Sequence, residues 1–103
     1  MDYELVITDK AQEMLDDLVR YLLFDLCSRK AAEHLISSVQ DIYQRLRLFP
    51  LQFPLCEDYV LRGNGYRKAV LADMSYILIF TVEDQAVYVL GIFHELENYG
   101  IRL

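Results

Sequence analysis

The hydrophobic positions in the first half of the chain recur mostly at helical spacing. A short alternating, β-rich segment covers residues 3–7, and apolar side chains then follow at three- and four-residue steps over residues 9–24. The same steps return from Ser28 to about Leu48. Thr8 and Ser28, which precede the two periodic stretches, are residue types that cap helix N-termini. The pattern predicts one strand followed by two amphipathic helices.

The pattern changes after two prolines. Pro50 and Pro54 cannot continue a helix, and residues 57–64, which include the turn-forming "RGNG", are predicted to form a loop or a weak strand. Residues 66–72, 76–82 and 87–93 are rich in Val, Ile, Tyr and Phe, and the short segments "ADMS" and "EDQA" separate them. Three such runs with short turns predict an antiparallel meander.

The predicted order is therefore β-α-α-β-β-β within one domain spanning residues 1–103. It indicates an α+β fold, in which a helical hairpin packs on one face of a small antiparallel sheet. The helical stripe and the inward alternation of the strands predict which side chains are buried. This predicted core consists of Leu15, Leu18, Leu22, Leu35, Val39, Ile42, Leu46, Val70, Leu78, Phe80, Val89 and Ile92.

Composition narrows the class of protein. With 54% hydrophobic and 25% charged residues, the 103-residue chain is of the ordinary globular type. It contains no apolar run of membrane-spanning length, and "MDYELVITDK" has no basic segment followed by an apolar one, so a signal peptide is not expected. We expect a cytoplasmic protein that does not enter a membrane, with Cys27 and Cys56 as reduced thiols.

Positive charge is concentrated in one part of an acidic chain. The net charge is −6, yet five cations stand against two carboxylates between Arg45 and Lys68. Such an island can bind an anion locally, while the overall field repels nucleic acid at long range. For Arg45 and Arg47 the alternative is a solvated helix end, where cations complement the helix dipole.

Familiar catalytic motifs are missing from the sequence. It has no glycine-rich phosphate loop, no nucleophile elbow, no CxxC and no HExxH, so we expect neither a cofactor nor a metal. His94 follows the last predicted strand and is suited to proton transfer, although an ordinary surface imidazole explains it equally well. His34 lies on the second helix, where a structural role is favoured.

A set of cationic and aromatic residues remains as the candidate chemistry. Arg and Lys can hold phosphates and offset developing negative charge, and His and Tyr can move protons or stack on bases. Arg67 and Lys68 alternate across a strand, so at least one of them reaches solvent or a partner. The alternative is a strand-edge charge that discourages aggregation. The set consists of Arg62, Arg67, Lys68, His94 and Tyr99.

Four segments together resemble one known family nearly from end to end. "YELVITDKAQEMLDDLVRYL", "AAEHLISSVQDIYQRLRLFP", "GYRKAVLADMSYILIFTVEDQAVYVLGIFH" and "HELENY" are similar, in order and spacing, to the RelE/ParE toxins of bacterial type II toxin–antitoxin systems. The resemblance implies the same β-α-α-β-β-β fold. It also implies a growth-inhibiting toxin of the kind found in plasmid stabilization, neutralised by a cognate antitoxin that wraps its surface.

Members of this family divide by target. RelE-like toxins cut mRNA at the ribosome, whereas ParE-like toxins poison DNA gyrase. Ile77 and Leu96 stand where the RelE-like pattern places two arginines. We therefore favour a ParE-like growth inhibitor, and the alternatives are a RelE-like endoribonuclease or a decayed toxin that acts only as a binding module.

The two modes of action use overlapping residues. DNA gyrase, or the ribosome with its mRNA, is the candidate target, and a homodimer is the candidate assembly. If the chain is an RNase, its catalytic residues are Arg67, Lys68, His94 and Tyr99. The predicted target- or antitoxin-binding residues are Arg62, Tyr66, Arg67, Lys68 and Tyr99.

Overall fold

The computed structural model describes residues 2–97 and 99–103, except for the side chains of Ile101 and Arg102. The elements, in chain order, are β1 (Glu4–Ile7), α1 (Asp9–Arg20), α2 (Arg29–Leu48), α3 (Tyr59–Gly63), β2 (Arg67–Val70), β3 (Tyr76–Glu83), β4 (Ala86–His94) and α4 (Tyr99–Arg102). A π-helical turn, Tyr21–Asp25, extends α1, and a 3₁₀ turn, Pro50–Gln52, follows α2. The predicted α+β fold and its order are confirmed, and α3 and α4 are additions.

The two long helices begin at the predicted caps. The Thr8 hydroxyl accepts the Ala11 amide and the Ser28 hydroxyl accepts the Ala31 amide, each at 3.2 Å. Cap hydrogen bonds of this kind satisfy amides that have no partner within the helix. Between the helices, Cys27 adopts a left-handed backbone conformation with φ 51°. Both cysteines are free thiols, as predicted.

The sheet has the strand order β1-β4-β3-β2. Strands β2, β3 and β4 form the predicted antiparallel meander. Strand β1 pairs with β4 in parallel, so the sheet as a whole is mixed rather than entirely antiparallel. Hydrophobic alternation reports which side chains face the core but carries no information about the direction of the neighbouring strand, so the sequence could not reveal this pair.

The prediction of a loop or weak strand at residues 57–64 is wrong, because this segment contains the helix α3. The Asp58 carboxylate accepts the amides of Val60 and Leu61 at 3.0 and 3.1 Å, which caps the helix N-terminus. Leu61 is buried beneath the helix, and Gly65, with φ 80°, turns the chain into β2. One cap and one buried anchor outweigh the turn signal of "RGNG".

The larger core lies between the helical hairpin and one face of the sheet. Of the residues predicted to form this core, Val70 is clearly wrong, because it is 58% exposed. Its neighbours Ala69 and Leu71 are buried instead. Because Ala69 is small and Val70 is a typical core residue, the sequence did not reveal which alternate positions of β2 face the core. Leu15 and Leu18 are half-buried against this core. The confirmed core residues are Leu22, Leu35, Val39, Ile42, Leu46, Leu78, Phe80, Val89 and Ile92.

A smaller core, which the sequence did not predict, covers part of the opposite face of the sheet. Its buried members are Cys56, Leu61, Ile77, Ile79 and Phe93, and Tyr66 and Tyr99 pack against it. Leu61 comes from α3 and Tyr99 from α4, so the two short helices contribute to the cover over this part of the sheet. The helical hairpin and this second layer determine the surroundings of each candidate residue.

Strand β4 is irregular where it passes the end of β1. Its pairing with β3 shifts register at Ile79 and Phe80, so that Leu90 lies between the paired residues Val89 and Gly91. The amide and hydroxyl of Thr8 both donate to the Val89 carbonyl oxygen, at 3.2 and 2.7 Å. Helix α1 therefore starts beside the point at which β4 bulges. Within the described part of the chain, no helix is both long and apolar enough to cross a membrane.

Candidate functional site

Arg67 and Lys68 lie on opposite faces of the sheet. Arg67 pairs with Phe80, a residue of the larger core, whereas Lys68 pairs with Ile79, which belongs to the smaller core. Since successive side chains of a strand alternate, the two cations cannot act on one phosphate from the same side.

The Arg67 guanidinium is held by the backbone. Its Nη1 donates to the Phe53 carbonyl oxygen at 2.7 Å. The Phe53 ring meets the Phe80 ring edge to face at 5.6 Å, and the Arg45 guanidinium lies 4.9 Å from the centre of the Phe53 ring. Two of the five cations of the basic island are therefore engaged with one buried phenylalanine, which gives both a structural role.

Lys68 belongs to a group on the other face, which we call the Lys68 cluster: Cys56, Glu57, Lys68 and Tyr99. The Lys68 Nζ lies 3.4 Å from Glu57 Oε1, and the Lys68 side chain is only 22% exposed. The Tyr99 ring packs on Phe93 at a centroid distance of 5.7 Å. The cluster brings together two of the predicted residues, Lys68 and Tyr99.

Burial controls the proton affinities in the Lys68 cluster. Desolvation is the largest effect on the Cys56 thiol and raises its pKa, although the Lys68 ammonium lowers it. Burial also raises the pKa of Tyr99, with a further increase from Cys56 and an opposing decrease from Lys68. Tyr99 therefore keeps its phenolic proton at neutral pH, which makes it poorly suited to act as a base.

His94 lies beside Tyr76 on the face of the larger core, across the sheet from the Lys68 cluster. The two rings meet edge to face at 5.8 Å. The His94 Nδ1 accepts the Leu96 amide at 3.1 Å, which assigns the neutral imidazole proton to Nε2. The His94 amide in turn donates to Glu97 Oε1 at 3.2 Å. The imidazole thus holds the turn that leaves β4.

A cavity of about 200 Å³ adjoins His94. Its lining includes Met14, Asp17 and Leu18 of α1 together with Tyr76 and Glu97. Among the residues whose side chains the structure describes, no arginine or lysine lines this cavity, so none of them offers a cation that could offset charge on a phosphate beside the imidazole.

The four residues of the candidate nuclease set do not converge. On β3, the partners of Arg67 and His94 are Phe80 and Tyr76, which are four residues apart and thus separated by about 13 Å along the strand. Lys68 and Tyr99 are on the opposite face. The two positions where the RelE-like pattern places arginines also differ in environment: Ile77 is buried in the smaller core, whereas Leu96 is 86% exposed.

The remaining predicted binding residues lie on or next to α3. Arg62 is exposed, and Tyr66 is half-buried against the smaller core, with its amide donating to the Leu61 carbonyl oxygen at 3.0 Å. Tyr59 and Val60 of α3 are also exposed, Tyr59 by 90%. Together with Lys68 and Tyr99, these residues surround α3 on the face of the smaller core.

Sequence reasoning missed Phe53, Cys56 and Glu57. Phe53 receives Arg67 through its carbonyl oxygen, a backbone contact that no side-chain pattern signals. For Glu57, the sequence offered one signal, which is the acidic pair Glu57 and Asp58 directly before α3. His34 has the expected structural contact, since its Nε2 lies 3.2 Å from the Ala72 carbonyl oxygen. Over residues 2–97 and 99–103, no three His, Cys, Asp or Glu side chains are grouped in a way that could hold a metal ion.

Comparison with known proteins identifies the family. A family model described as the ParE toxin of the type II toxin–antitoxin system parDE matches residues 5–99. The chain belongs to the ParE toxin family. It is therefore a toxin of the type II toxin–antitoxin class, as the RelE/ParE resemblance predicted, and membership implies an antitoxin partner.

Solved structures show the same fold. A chain of the chromosomal ParDE TA system from P. aeruginosa has a TM-score of 0.73 and 19% identity, over 89% of this chain and 95% of that one. The solution structure of the conserved hypothetical protein HP0894 from Helicobacter pylori has a TM-score of 0.53 and 16% identity, over 92% and 97%. No curated protein matches this ParE-family chain significantly.

Proposed function

We propose that this ParE-family toxin inhibits growth by binding a target protein in the cytoplasm, without cleaving RNA, and that its antitoxin prevents this binding. The observation that carries the proposal is the separation of the four candidate nuclease residues. Arg67 and His94 occupy distant positions on one face of the sheet, and Lys68 and Tyr99 lie on the other.

Cleavage of a phosphodiester requires several groups around one phosphate. A base must take the proton of the 2′-hydroxyl, an acid must protonate the leaving oxygen, and cations must offset the developing charge, all within hydrogen-bonding reach of about 3 Å. The Lys68 cluster offers one cation and one phenol whose pKa is raised by burial, which disfavours Tyr99 as the base. Among the residues whose side chains the structure describes, no arginine or lysine lines the cavity beside His94.

The electrostatics of the whole chain support the same conclusion. A net charge of −6 repels ribosomal RNA at long range, which slows the encounter that a ribosome-dependent nuclease needs. A protein target is not subject to this constraint.

DNA gyrase is the target that we propose, because the ParE-like branch of the resemblance implies it. The surface around α3 is the proposed contact, with Arg62, Tyr66, Lys68 and Tyr99 as its polar and aromatic residues. Tyrosine and arginine are among the side chains that most often anchor protein–protein interfaces, and on this surface Tyr59 and Arg62 are exposed. A homodimer stays a prediction.

Two assays on the purified toxin test the proposal. We expect inhibition of gyrase-catalysed supercoiling that the antitoxin encoded next to the toxin gene reverses. We also expect no new ends in ribosome-bound mRNA analysed by primer extension. Arg62→Ala should weaken the inhibition, whereas Lys30→Ala, an exposed cation on α2, should not. Codon-specific cleavage together with normal supercoiling would overturn the proposal in favour of the nuclease.

A further inference from the structure

The Lys68 side chain is largely withdrawn from water on the face of the smaller core. It is only 22% exposed, and the neighbouring Cys56 is completely buried. The ammonium opposes the rise in the pKa of both Cys56 and Tyr99, so it lies within electrostatic range of the two side chains. A cation that has lost much of its hydration needs a partner, because burying a charge is otherwise unfavourable.

Glu57 supplies a carboxylate to this ammonium, but the contact is loose. The distance between Lys68 Nζ and Glu57 Oε1 is 3.4 Å, whereas a charge-assisted hydrogen bond between such groups is normally about 2.7–2.9 Å long. The Glu57 side chain is 86% exposed. An ion pair with so exposed a partner contributes little to stability, so another carboxylate can take the place of Glu57 at small cost.

The next residue in the chain shows the contrast between a structural and a displaceable carboxylate. Asp58 Oδ1 accepts the amides of Val60 and Leu61 at 3.0 and 3.1 Å, which fixes it as the cap of α3. Glu57 takes no part in this cap. Its side chain can therefore turn away from Lys68 while α3 stays in place.

The surroundings of Lys68 suit contact with another protein. Tyr59 and Val60 of α3 are 90% and 65% exposed, and Tyr66 and Tyr99 are half-buried beside them. Strong contacts in protein–protein interfaces typically have this arrangement, in which surrounding side chains exclude water from a central anchor. A carboxylate that is shielded from water in this way attracts the ammonium more strongly than the hydrated Glu57 does.

A protein carboxylate fits this position better than a phosphate of RNA. Glu57 itself shows that a carboxylate can reach the ammonium. Nucleic acids, in contrast, are bound by several cations that neutralise successive phosphates. Lys68 stands beside Glu57 and Asp58 on a chain whose net charge is −6, and these negative charges repel a polyanion.

We propose that Lys68 binds a carboxylate of the target protein, and that Glu57 occupies this position in the free toxin as an internal competitor. The inference rests on the proposed function and adds to it the chemistry of one contact and its regulation. When the toxin meets its target, an Asp or Glu side chain of the target replaces Glu57, whose carboxylate turns into water.

Cross-linking with a carbodiimide, which joins an amine to a neighbouring carboxylate as an amide, tests the exchange of partners. In the free toxin, mass spectrometry should detect a link between Lys68 and Glu57. In the presence of gyrase, we expect a link from Lys68 to an Asp or Glu of gyrase and a loss of the internal link. Inhibited gyrase with the internal link fully retained would overturn this inference alone. A toxin that neither binds nor inhibits gyrase would overturn the proposed function as well.

Inhibition of supercoiling by variants tests the two roles separately. Lys68→Gln should raise the toxin concentration for half-inhibition at least about tenfold, whereas Lys68→Arg, which keeps the charge, should raise it much less. Glu57→Gln should lower this concentration roughly two- to fivefold, because the competitor is gone. Glu33→Gln is the matched control: it removes a carboxylate from the exposed ion pair with Arg29 on α2, 3.0 Å in length, and should change nothing.

Three results would contradict the proposal. The first is full inhibition by a Lys68→Gln variant that has a normal circular dichroism spectrum. The second is a Glu57→Gln variant that inhibits no better than the unmodified toxin. The third is weaker binding of single-stranded RNA by Lys68→Gln while its inhibition of gyrase is unchanged, which would assign the ammonium to a phosphate instead.

Discussion

Replacing Gly91 with alanine should destabilise the protein, because the space for a Cβ atom at this position is occupied. An ideal Cβ on Gly91 would lie 2.8 Å from both Cε2 and Cζ of Phe93 and 3.1 Å from the Met14 sulfur. Carbon atoms in contact are normally about 3.5–4.0 Å apart. The Phe93 ring would have to move by roughly an ångström to restore such a separation.

The surroundings of Phe93 make this movement costly. The ring is buried in the smaller core and packs against Tyr99, so that moving it disturbs both the sheet and α4. Overpacking of a well-filled core typically costs about 1–3 kcal/mol, and we expect Gly91→Ala to lower the free energy of unfolding by that amount. With a urea m-value of roughly 1–3 kcal/mol/M for a small domain, the midpoint should fall by about 1 M at an unchanged slope.

Gly63→Ala is the matched control. The last residue of α3 has nothing within 4 Å of its ideal Cβ position and no positive φ, so that alanine should be neutral or stabilising by up to about 1 kcal/mol. Equal urea midpoints for Gly91→Ala and the unmodified protein would refute the close packing of β4, Phe93 and Met14.

Three further predictions concern stability and reactivity. Leu35→Ala should lower the free energy of unfolding by about 2–4 kcal/mol, whereas Ile36→Ala, on the exposed side of α2, should cost less than about 1 kcal/mol; similar urea midpoints would mean that the buried face of α2 is assigned incorrectly. A thiol reagent should modify the exposed Cys27 rapidly and the buried Cys56 only as fast as the protein unfolds. Mass spectrometry that detects modification of both cysteines at the same rate would contradict the burial of Cys56. Burial raises the pKa values of Cys56 and Tyr99 in the folded state. Their contribution to the free energy of unfolding should therefore be complete below about pH 8.5 and be lost as pH rises through the folded-state pKa values. A urea midpoint that stays constant from about pH 8 to 11 would contradict this.

The periodic elements could be predicted from the sequence because their signals are local. The stripe of α2 from Ala32 to Leu46 repeats at helical steps, and Ser28 caps that helix as its residue type suggests. The antiparallel meander follows from three β-rich runs joined by short turns. In each case, residues close together in the chain carry the whole signal.

The features that sequence analysis missed depend on contacts between distant residues. The parallel pairing of β1 with β4 joins opposite ends of the chain, and the smaller core joins Cys56 and Leu61 to β3 and β4. The candidate site likewise combines features that local patterns predict with features that depend on distant contacts. Alternation correctly placed Arg67 and Lys68 on opposite faces, but only the folded structure shows that His94 lies on the opposite face of the sheet from both Lys68 and Tyr99.

The state of cellular mRNA during growth arrest tests the central claim most directly. The measurement is primer extension on mRNA from cells in which the toxin has been induced without its antitoxin, beside cells that express His94→Asn. Asparagine can still accept the Leu96 amide at a position close to that of Nδ1, but it cannot transfer protons as an imidazole does. The account predicts growth arrest in both strains and no codon-specific mRNA ends in either. Codon-specific ends that accompany arrest by the unmodified toxin and disappear, together with the arrest, in His94→Asn would contradict it.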